Sequence, residues 1–358
     1  MNILQFADYG APYEGNFIQS LTHLENKLSG DKTVYLFTKV AQNQEWTKKL
    51  QNVFFLRGNL FENIKIFRKI IKEEHIDIIH THFSVLKYDL ALKIARMTSK
   101  KTIYIRHMHM LYKPKGNFIF EKIKTVISNA DIEIACSDAA YDAMVSAGSI
   151  KKERLYMVPN GIAFERFDRY ETLEKNSRHI LMFGYNYAVK GVDLAIKAVE
   201  KLVSAGEDIR LNIVIAKNDQ LIKKTIEENF NAVPGFVELL PPRNDIATYY
   251  KHSDLFLSAS REESFCYAVR EAAYCECPVV ASDIPAHNDI PADFRFKSGD
   301  DLDLYKKLAF TINLKNKQEI IRTSKEFVIK KYSIESWSRQ ISDIYNTLKT
   351  NTINNAVQ

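Results

Sequence analysis

The sequence predicts an α/β protein built from two Rossmann-like domains. First, a chain of 358 residues exceeds the size at which one hydrophobic core keeps growing, so two domains are expected. Second, a composition of 46% hydrophobic and 26% charged residues is that of an ordinary globular protein. Third, strand-like apolar segments alternate with segments of helical period, which is typical of parallel sheets covered by helices on both faces.

The first domain is predicted to span residues 1–168. Apolar runs of strand length recur there, and longer segments with the period of a helix lie between them. This βαβ order predicts parallel strands, because each helix carries the chain back to the edge where the previous strand began. The predicted strands are residues 2–7, 33–38, 76–80, 102–106, 132–136 and 155–158, and the predicted helices include 17–28, 88–97, 119–129 and 139–147.

The second domain is predicted to span residues 178–330. It follows a polar segment, residues 169–178, that is poor in large apolar side chains and is interpreted as the linker. A last helix, residues 331–349, has one apolar face, and we expect it to pack back on the first domain. The predicted strands of the second domain are residues 179–183, 211–216, 236–239, 255–258 and 278–282, and the last helix carries Ile334, Trp337, Ile341, Ile344 and Tyr345 on its apolar face.

Composition favours a cytoplasmic protein. The N-terminal run MNILQFA is followed directly by Asp8, so we expect no secretory signal. No segment approaches the roughly 20 apolar residues of a membrane helix. The four cysteines contain no CxxC pair, which argues against a zinc knuckle or a disulfide framework and fits a reducing compartment.

Positive charge is concentrated in the first half of the chain. The formal charge of +6 arises from +7 in residues 1–170 and −1 in the remainder. The basic residues favour either peripheral contact with anionic lipid at the inner face of the plasma membrane or an ordinary solvated helix face. Because no nucleic-acid-binding motif accompanies them, we expect no nucleic-acid partner. They are Lys65, Arg68, Lys69 and Lys72 on a predicted helix, then Lys113, Lys115, Lys122 and Lys124.

The segment after the strand LFLS contains the most informative pattern. Glu263 and Glu271 lie eight positions apart, the first in a turn and the second on the following helix. Both are therefore expected near a helix N-terminus, where backbone N–H groups attract anions. Carboxylates can hold sugar and ribose hydroxyls while the N–H groups hold phosphate. Alone, two glutamates at this spacing are weak evidence, since exposed helical glutamate is common.

This segment resembles the E-x7-E motif of the family 4 glycosyltransferases, which commonly reads E-G-F-G-x-x-x-x-E-A. The chain has E-S-F-C-Y-A-V-R-E-A from Glu263, and the following CPVVAS is similar to the family's G-x-P-V-V-a-S. The resemblance implies that Glu263 holds the transferred sugar and Glu271 the ribose. It also implies that Phe265, Cys266 and Tyr267 offer backbone N–H groups to the distal phosphate.

A second match covers the segment after the first strand of the second domain. FGYNYAVKG is similar to the family's strand-G-R-x-x-x-x-K-G, so Lys190 aligns with the lysine that pairs with the donor diphosphate. Tyr185 stands where the family has arginine and supplies no positive charge. Arg261 or Lys217 could replace that charge. Arg243, in the segment that cradles the base in the family, is taken as a further donor-binding residue, although Pro241 replaces the family's glycine there.

The first domain contributes two further candidates. Gly15 resembles the glycine of the family's turn after strand one, with Gly10 as an alternative. His107 ends a strand that looks like the family's v-v-t-v-H, and His80, His82 and His109 compete for its role. HTHF and RHMH also suggest metal ligands, but no carboxylate or cysteine completes either set, so we expect no metal.

The resemblance implies two facing Rossmann-like domains, the GT-B fold, and a retaining, metal-independent, hexosyltransferase-type enzyme. Its co-substrate would be a nucleotide-diphosphate sugar, most often a UDP-sugar, with no resident cofactor. The acceptor would be a sugar, lipid-linked or protein-linked hydroxyl in bacterial cell-surface polysaccharide or glycoconjugate synthesis. An alternative from another class is a glycosyltransferase-like binding or chaperone subunit, motivated by Tyr185. A nucleotide-sugar epimerase fits Lys190 and the E-x7-E segment less well.

Overall fold

The structure is a computed structural model that describes residues 1–11, 14–99, 101–111, 118–148, 150–171, 178–216 and 220–357, of which 118–121, 124 and 351–357 are described by their backbone alone. The chain forms two compact units, Met1–Ile162 with Ile334–Gln358 and Ala163–Ser333.

The first unit is a parallel sheet with helices on both faces. Its strands follow the order β3-β2-β1-β4-β5-β6-β7, and the order reverses between β1 and β4. The strands are β1 (Asn2–Ala7), β2 (Lys32–Phe37), β3 (Val53–Phe55), β4 (Ile78–His82), β5 (Ile103–Met108), β6 (Ile132–Ala135) and β7 (Leu155–Met157). The helices are α1 (Gly15–Lys27), α2 (Leu60–Glu73), α3 (Leu86–Arg96), α4 (Phe118–Ser128) and α5 (Asp138–Ser146).

The second unit repeats this topology. The strand order is β10-β9-β8-β11-β12-β13, again all parallel, with the reversal between β8 and β11. Its strands are β8 (Arg178–Phe183), β9 (Ile209–Val214), β10 (Val237–Leu240), β11 (Leu255–Ser258), β12 (Val279–Ser282) and β13 (Arg295–Phe296). Its helices are α6 (Tyr187–Lys190), α7 (Val192–Ser204), α8 (Gln220–Phe230), α9 (Ala247–His252), α10 (Tyr267–Tyr274), α11 (Asp301–Asn313) and α12 (Lys317–Tyr332).

The last helix, α13 (Ile334–Val357), packs on α1 of the first unit, as the sequence predicts. Trp337, Ile341 and Tyr345 are buried in the same cluster as Leu21 and Ile78. The helix therefore completes the apolar cover of one sheet face, although 171 residues of the second unit separate it in sequence from the rest of that core.

The alternation of strands and helices predicted from the sequence is confirmed, with two omissions. The sequence does not predict β3 and β13, because three and two residues are too few to show a strand period. Both are edge strands that depend on pairing with β2 and β12. Within the described residues, no helix has both the length and the apolar character needed to span a bilayer.

Candidate active site

The second unit brings its candidate residues to the point where the strand order reverses. In open α/β sheets, ligands bind beyond the carboxyl ends of the strands at this position. Lys190 lies on α6, directly after β8, and Glu263 lies in the loop after β11. Because β8 and β11 are neighbours in the sheet, residues 73 positions apart in sequence meet at its edge.

Gly191 allows the two loops to approach each other. It ends α6 with a φ of 65°, and a Cβ atom at this position would lie 2.1 Å from the carbonyl oxygen of Ala259. The backbone N–H of Arg261 also donates to the carbonyl of Val189 at 2.8 Å. Lys190 is therefore held beside the Glu263 loop by backbone contacts that leave no room for a side chain.

We expect Gly191→Ala to lower the free energy of unfolding by about 2 kcal/mol or more, since a left-handed backbone and a steric overlap act together. Urea denaturation would measure the change. Gly148→Ala is the matched control: Gly148 has a similar φ of 61°, and a Cβ there would meet no described atom within 4 Å. Equal losses in the two variants would contradict the proposed close approach.

Lys190 and Glu263 form an ion pair in which the ammonium group donates to Oε1 of the carboxylate. The Ser260 hydroxyl donates to the same oxygen at 2.9 Å. The Glu263 side chain is 14% exposed, so the pair lies in a partly desolvated recess. Burial lowers the pKa of Lys190, but the Glu263 carboxylate outweighs it and the pKa is raised overall. Lys190 is thus a cation at neutral pH.

The loop between Glu263 and α10 has an unusual backbone. Cys266 precedes the helix with a φ of 57°, in the left-handed region that L side chains rarely adopt. The first turn of a helix directs N–H groups outward without intrahelical acceptors, which favours anions there. Burial and the nearby Glu263 raise the pKa of the Cys266 thiol to about 11, so this side chain is neutral.

Glu271 lies on α10 and is 8% exposed. Its Oε2 accepts a hydrogen bond from the hydroxyl of Tyr250 at 3.0 Å. Burial, followed by the charge of Glu271, raises the pKa of Tyr250 well above its usual range, so the phenol remains a donor. Sequence reasoning misses Tyr250, because a tyrosine on a short helix after β10 carries no local signal.

The other positive candidates are engaged elsewhere. Arg261 forms a bidentate pair with Asp193 at 2.7 and 2.9 Å, so it does not supply a free charge in place of Tyr185. Arg243 is bonded to Asp245 and Glu171, and none of its contacts within the described ranges involves Lys190 or Glu263.

Tyr185 is 44% exposed and lies 5.8 Å, ring to ring, from Phe183 at the end of β8. Lys217 lies outside the described residues. Among the candidates with described side chains, Lys190 is therefore the cation that accompanies the E-x7-E segment.

In the first unit, Gly15 begins α1 with a φ of 59°, directly after the segment that follows β1. A Cβ on Gly15 would lie 3.0 Å from the Tyr9 hydroxyl, whereas one on Gly10 would overlap Val40 at 2.7 Å. Gly10 therefore serves close packing, and Gly15 serves the left-handed turn into the helix.

Four histidines form a buried cluster on β4, on β5 and directly after β5, which we call the histidine cluster: His80, His82, His107 and His109. The sheet register pairs His82 with His107, so the HTHF and RHMH segments lie side by side. Ring centroids of His80 and His82, and of His107 and His109, are 4.2 Å apart. His107 is 1% exposed and stacks on Trp337 of α13 at 6.4 Å.

Hydrogen bonds connect the histidine cluster to Gln5, Asn160 and Tyr345. Gln5 donates to the Tyr345 hydroxyl at 3.0 Å, and that hydroxyl lies 2.6 Å from Nδ1 of His80. Nε2 of His82 donates to Oε1 of Gln5 at 3.0 Å, and its Nδ1 lies 3.0 Å from Nε2 of His109. Burial and mutual repulsion lower the pKa of His82 and His107, and burial lowers those of His80 and His109 to about 3. Nδ1 of His109 lies 2.9 Å from Oδ1 of Asn160, and burial disfavours the charged form of all four rings.

His80, His82 and His107 place one nitrogen each within 4.8 Å of one another, which is close enough to consider a metal. Tetrahedral zinc with bonds of about 2.0–2.1 Å needs nitrogens about 3.4 Å apart. Both nitrogens of His82 are already bonded, whereas Nε2 of His80 and both nitrogens of His107 have no hydrogen-bond partner among the described residues. An ion at this point would have to displace a hydrogen bond of His82, and the expectation of no metal remains our prediction.

Comparison with known proteins follows the same division of the chain. The family model "Glycosyl transferases group 1" matches residues 164–326, and the model "Glycosyltransferase Family 4" matches residues 41–166. The two matches meet near the boundary between the two compact units and include every second-unit candidate named above.

Relatives are distant. A human subunit of phosphatidylinositol N-acetylglucosaminyltransferase is 25% identical over 259 residues, which cover 71% of this chain and 51% of the relative, so the chain spans about half the length of that protein. An uncharacterized 41.2 kDa protein in the cps region of Klebsiella pneumoniae is 24% identical, with 82% and 84% covered. The structure of Anabaena Alr3699/HepE in complex with UDP has a TM-score of 0.78 at 17% identity, with 97% and 100% covered, and establishes the fold alone.

Proposed function

Because the chain belongs to the group 1, family 4 glycosyltransferases, we propose that it transfers a hexosyl group from a UDP-sugar to an acceptor hydroxyl, with retention of anomeric configuration and without a metal ion. The observation that carries the proposal is the Lys190–Glu263 pair at the reversal of strand order, beside the start of α10.

Each residue at this edge has a proposed role. Glu263 accepts hydrogen bonds from hydroxyls of the transferred sugar, and Glu271, oriented by Tyr250, accepts them from the ribose. The backbone N–H groups of Cys266 and Tyr267 bind the distal phosphate, where the helix terminus favours negative charge. Phe265, which is 2% exposed, contributes its backbone to this loop.

Lys190 stabilises the leaving diphosphate. Its ammonium group is bonded to Glu263, so each group holds the other in place. Donor binding replaces this bond with one from lysine to phosphate and one from sugar hydroxyl to carboxylate. Positive charge positioned in advance near the departing oxygens is an effective way to lower the barrier to transfer.

Retention follows if the acceptor hydroxyl attacks on the face that the diphosphate leaves. A phosphate oxygen then takes the hydroxyl proton, and no separate general base is required. His107, the sequence candidate for contact with the sugar, is 1% exposed and stacks on Trp337, and burial lowers its pKa, so we propose no role for it as a cation.

The acceptor class is proposed from the names of two relatives. The human relative is named for transfer to phosphatidylinositol, and the Klebsiella relative comes from a cps region. We therefore propose an acceptor in cell-surface polysaccharide or glycoconjugate synthesis, lipid-linked rather than protein-linked, used on the cytoplasmic side of the membrane.

The function is tested by incubating the protein with UDP-glucose, UDP-galactose or UDP-N-acetylglucosamine and membrane lipid extract, and measuring UDP release. We expect release to depend on the extract for one donor and to be unchanged by EDTA. NMR of the product should show the anomeric configuration of the donor. Loss of activity in EDTA that is restored by a divalent cation would contradict the metal-independent mechanism.

A second candidate is a binding subunit that has the fold without the chemistry. Tyr185 favours it, because the ring lies where a second phosphate-binding cation is expected and is 44% exposed. Isothermal titration separates the two candidates. Binding of a nucleotide sugar with no turnover over any acceptor fraction would favour this second candidate, and turnover would exclude it.

The outer face of α2 is suited to anionic lipid. Lys65, Arg68, Lys69 and Lys72 are exposed, and Phe61 on the same helix is 76% exposed. We expect the protein to sediment with vesicles that contain phosphatidylglycerol but not with pure phosphatidylcholine. Lys65→Glu with Lys69→Glu should weaken vesicle binding about thirtyfold or more, since each basic residue near the surface contributes about 1 kcal/mol.

The matched control for this prediction is Lys223→Glu with Lys224→Glu, which makes the same change of charge on exposed positions of α8. Equal loss of vesicle binding in both double variants would indicate an effect of net charge and would contradict a lipid-binding face on α2. Lys122 on α4 is also exposed, whereas Lys113, Lys115 and the side chain of Lys124 lie outside the described residues.

A further inference from the structure

Arg270 lies one position before Glu271, on the side of α10 that faces the interior of the second unit. Its side chain is 5% exposed, and its Nη2 donates to both carboxylate oxygens of Asp289 at 2.7 and 2.8 Å. Asp289 also accepts a hydrogen bond from Tyr332, whose hydroxyl donates to Oδ2 at 2.5 Å. Neither the motif that defines the site nor its spacing assigns a role to this arginine.

Arg270 also binds the backbone of the phosphate loop, by which we mean residues 265–267. Its Nη1 donates to the carbonyl of Phe265 at 2.8 Å and lies 3.4 Å from the carbonyl of Cys266. Its Nη2 donates to the carbonyl of Ala286 at 2.9 Å. The guanidinium group lies 5.1 Å from the ring centroid of Phe265, which adds a cation–π contact to the loop.

These contacts determine where the N–H groups of the loop point. In a planar trans peptide, the C=O and the following N–H point in opposite directions. Because the carbonyls of Phe265 and Cys266 are turned towards Arg270, the N–H groups of Cys266 and Tyr267 are turned away from it. These are the two groups that bind the distal phosphate in the proposed function.

The loop needs such support because of its backbone. Cys266 has a φ of 57°, a conformation that costs of order 1–3 kcal/mol for a residue other than glycine and persists only when its surroundings hold it. The family pattern has glycine at this position, where the same conformation carries little cost. A buried guanidinium that binds two successive carbonyls supplies the restraint here.

We propose that Arg270, held by Asp289 and Tyr332, is a positioning residue that orients the N–H groups of the phosphate loop towards the distal phosphate of the donor. The proposal rests on the proposed function, because it assumes that the loop binds a nucleoside diphosphate. A bond to a cation also polarises each peptide group, so the outward N–H becomes a stronger donor.

The experiment compares UDP with UMP, which lacks the distal phosphate. Isothermal titration of the wild-type protein gives the reference dissociation constants for both. We expect Arg270→Leu with Asp289→Leu to raise the dissociation constant of UDP about tenfold to a hundredfold, the effect expected of misplaced ligand groups, and to change that of UMP by less than about threefold. The double variant is used because removing both charges avoids leaving one buried and unpaired.

A purely structural role predicts a different pattern. In that case the ratio of the UDP and UMP dissociation constants would be the same in the double variant and in the wild type. That result, with a urea midpoint close to that of the wild type, would overturn the proposal. Arg178→Leu with Glu207→Leu, which removes another arginine–carboxylate pair of the same unit, is the control and should leave both constants unchanged.

Two outcomes remain to be separated. If the double variant does not fold, Arg270→Lys is used instead, because lysine keeps the charge but cannot reach both carbonyls and the carboxylate. An unchanged ratio of the UDP and UMP dissociation constants in that variant rejects the proposal. If the wild-type protein binds neither UDP nor a UDP-sugar, the proposed function itself fails and the positioning role falls with it. If the wild-type protein binds UDP and the variants have the same dissociation constants as the wild type, only the positioning role is rejected.

Discussion

Glu263→Ala should lower the turnover number by about 10²- to 10³-fold, the loss typical of removing one group that stabilises a transition state. The carboxylate is 14% exposed and accepts bonds from Lys190 and Ser260, so it is oriented before the donor arrives. Without it, the sugar loses its hydroxyl partner and Lys190 loses the bond that holds it in place. UDP release under saturating donor is the measurement.

The fold of this variant should remain intact. Glu263 lies in a loop at the edge of the sheet and contributes nothing to the apolar cluster of the second unit. Glu262→Gln, a change of charge at the neighbouring position, is the control and should retain most activity. Turnover in Glu263→Ala equal to that of the wild type would remove the central residue from the proposed mechanism, whereas a shifted urea midpoint would show that the loss reflects unfolding.

Acidification from pH 7 to pH 5 should destabilise the protein through the histidine cluster. His80 and His109 have pKa values of about 3 in the folded protein, and burial also lowers those of His82 and His107. In the unfolded chain a histidine titrates near 6.5. Between these values the unfolded state binds more protons, so stability is full above about pH 6.5 and falls as the pH decreases.

The expected loss of stability between pH 7 and pH 5 is large. At pH 5 the shifts of His80 and His109 correspond to a loss of about 2 kcal/mol each, which is a large part of the stability of a typical domain, and His82 and His107 act in the same direction. The measurement is the free energy of unfolding by urea at several pH values between 7 and 5. Its slope against pH gives the number of protons taken up on unfolding.

Variants assign this slope to the cluster. His80→Gln keeps a hydrogen-bonding group beside Tyr345 and should reduce proton uptake on unfolding by about one. His75→Asn, at an exposed position with a φ of 50° that asparagine tolerates, should leave the slope unchanged. A wild-type slope near zero would show that the cluster is charged in the folded protein, contrary to its buried geometry.

The histidine cluster also illustrates what local spacing in the sequence leaves out. Each pair, His80 with His82 and His107 with His109, reads as an incomplete set when its own segment is considered. The pairing of β4 with β5 brings the two pairs together, and α13 adds Tyr345 from more than 230 residues away. Hydrogen bonds across this assembly then link the rings to Gln5 and Tyr345, and no spacing rule contains these contacts.

The sequence by itself determined the fold class and the positions of most elements. The local periodicity of apolar residues indicates which segments are strands and which are helices, so βαβ order and parallel pairing follow without tertiary information. It also predicted Glu263, Glu271, Lys190 and the helix start between the two glutamates as one candidate site, because these residues lie within two short motifs. The apolar face of α13 likewise required a partner, and the partner is α1.

Only the tertiary structure decided what each of these side chains contacts. Strand order places the ends of β8 and β11 side by side, so Lys190 contacts Glu263. In the same region Arg261 pairs with Asp193 and does not face the proposed phosphate site. Arg270 acquires its position from Asp289 and from the end of α12. Such contacts depend on packing between segments that are distant in sequence, and the local propensity of a segment does not predict that packing.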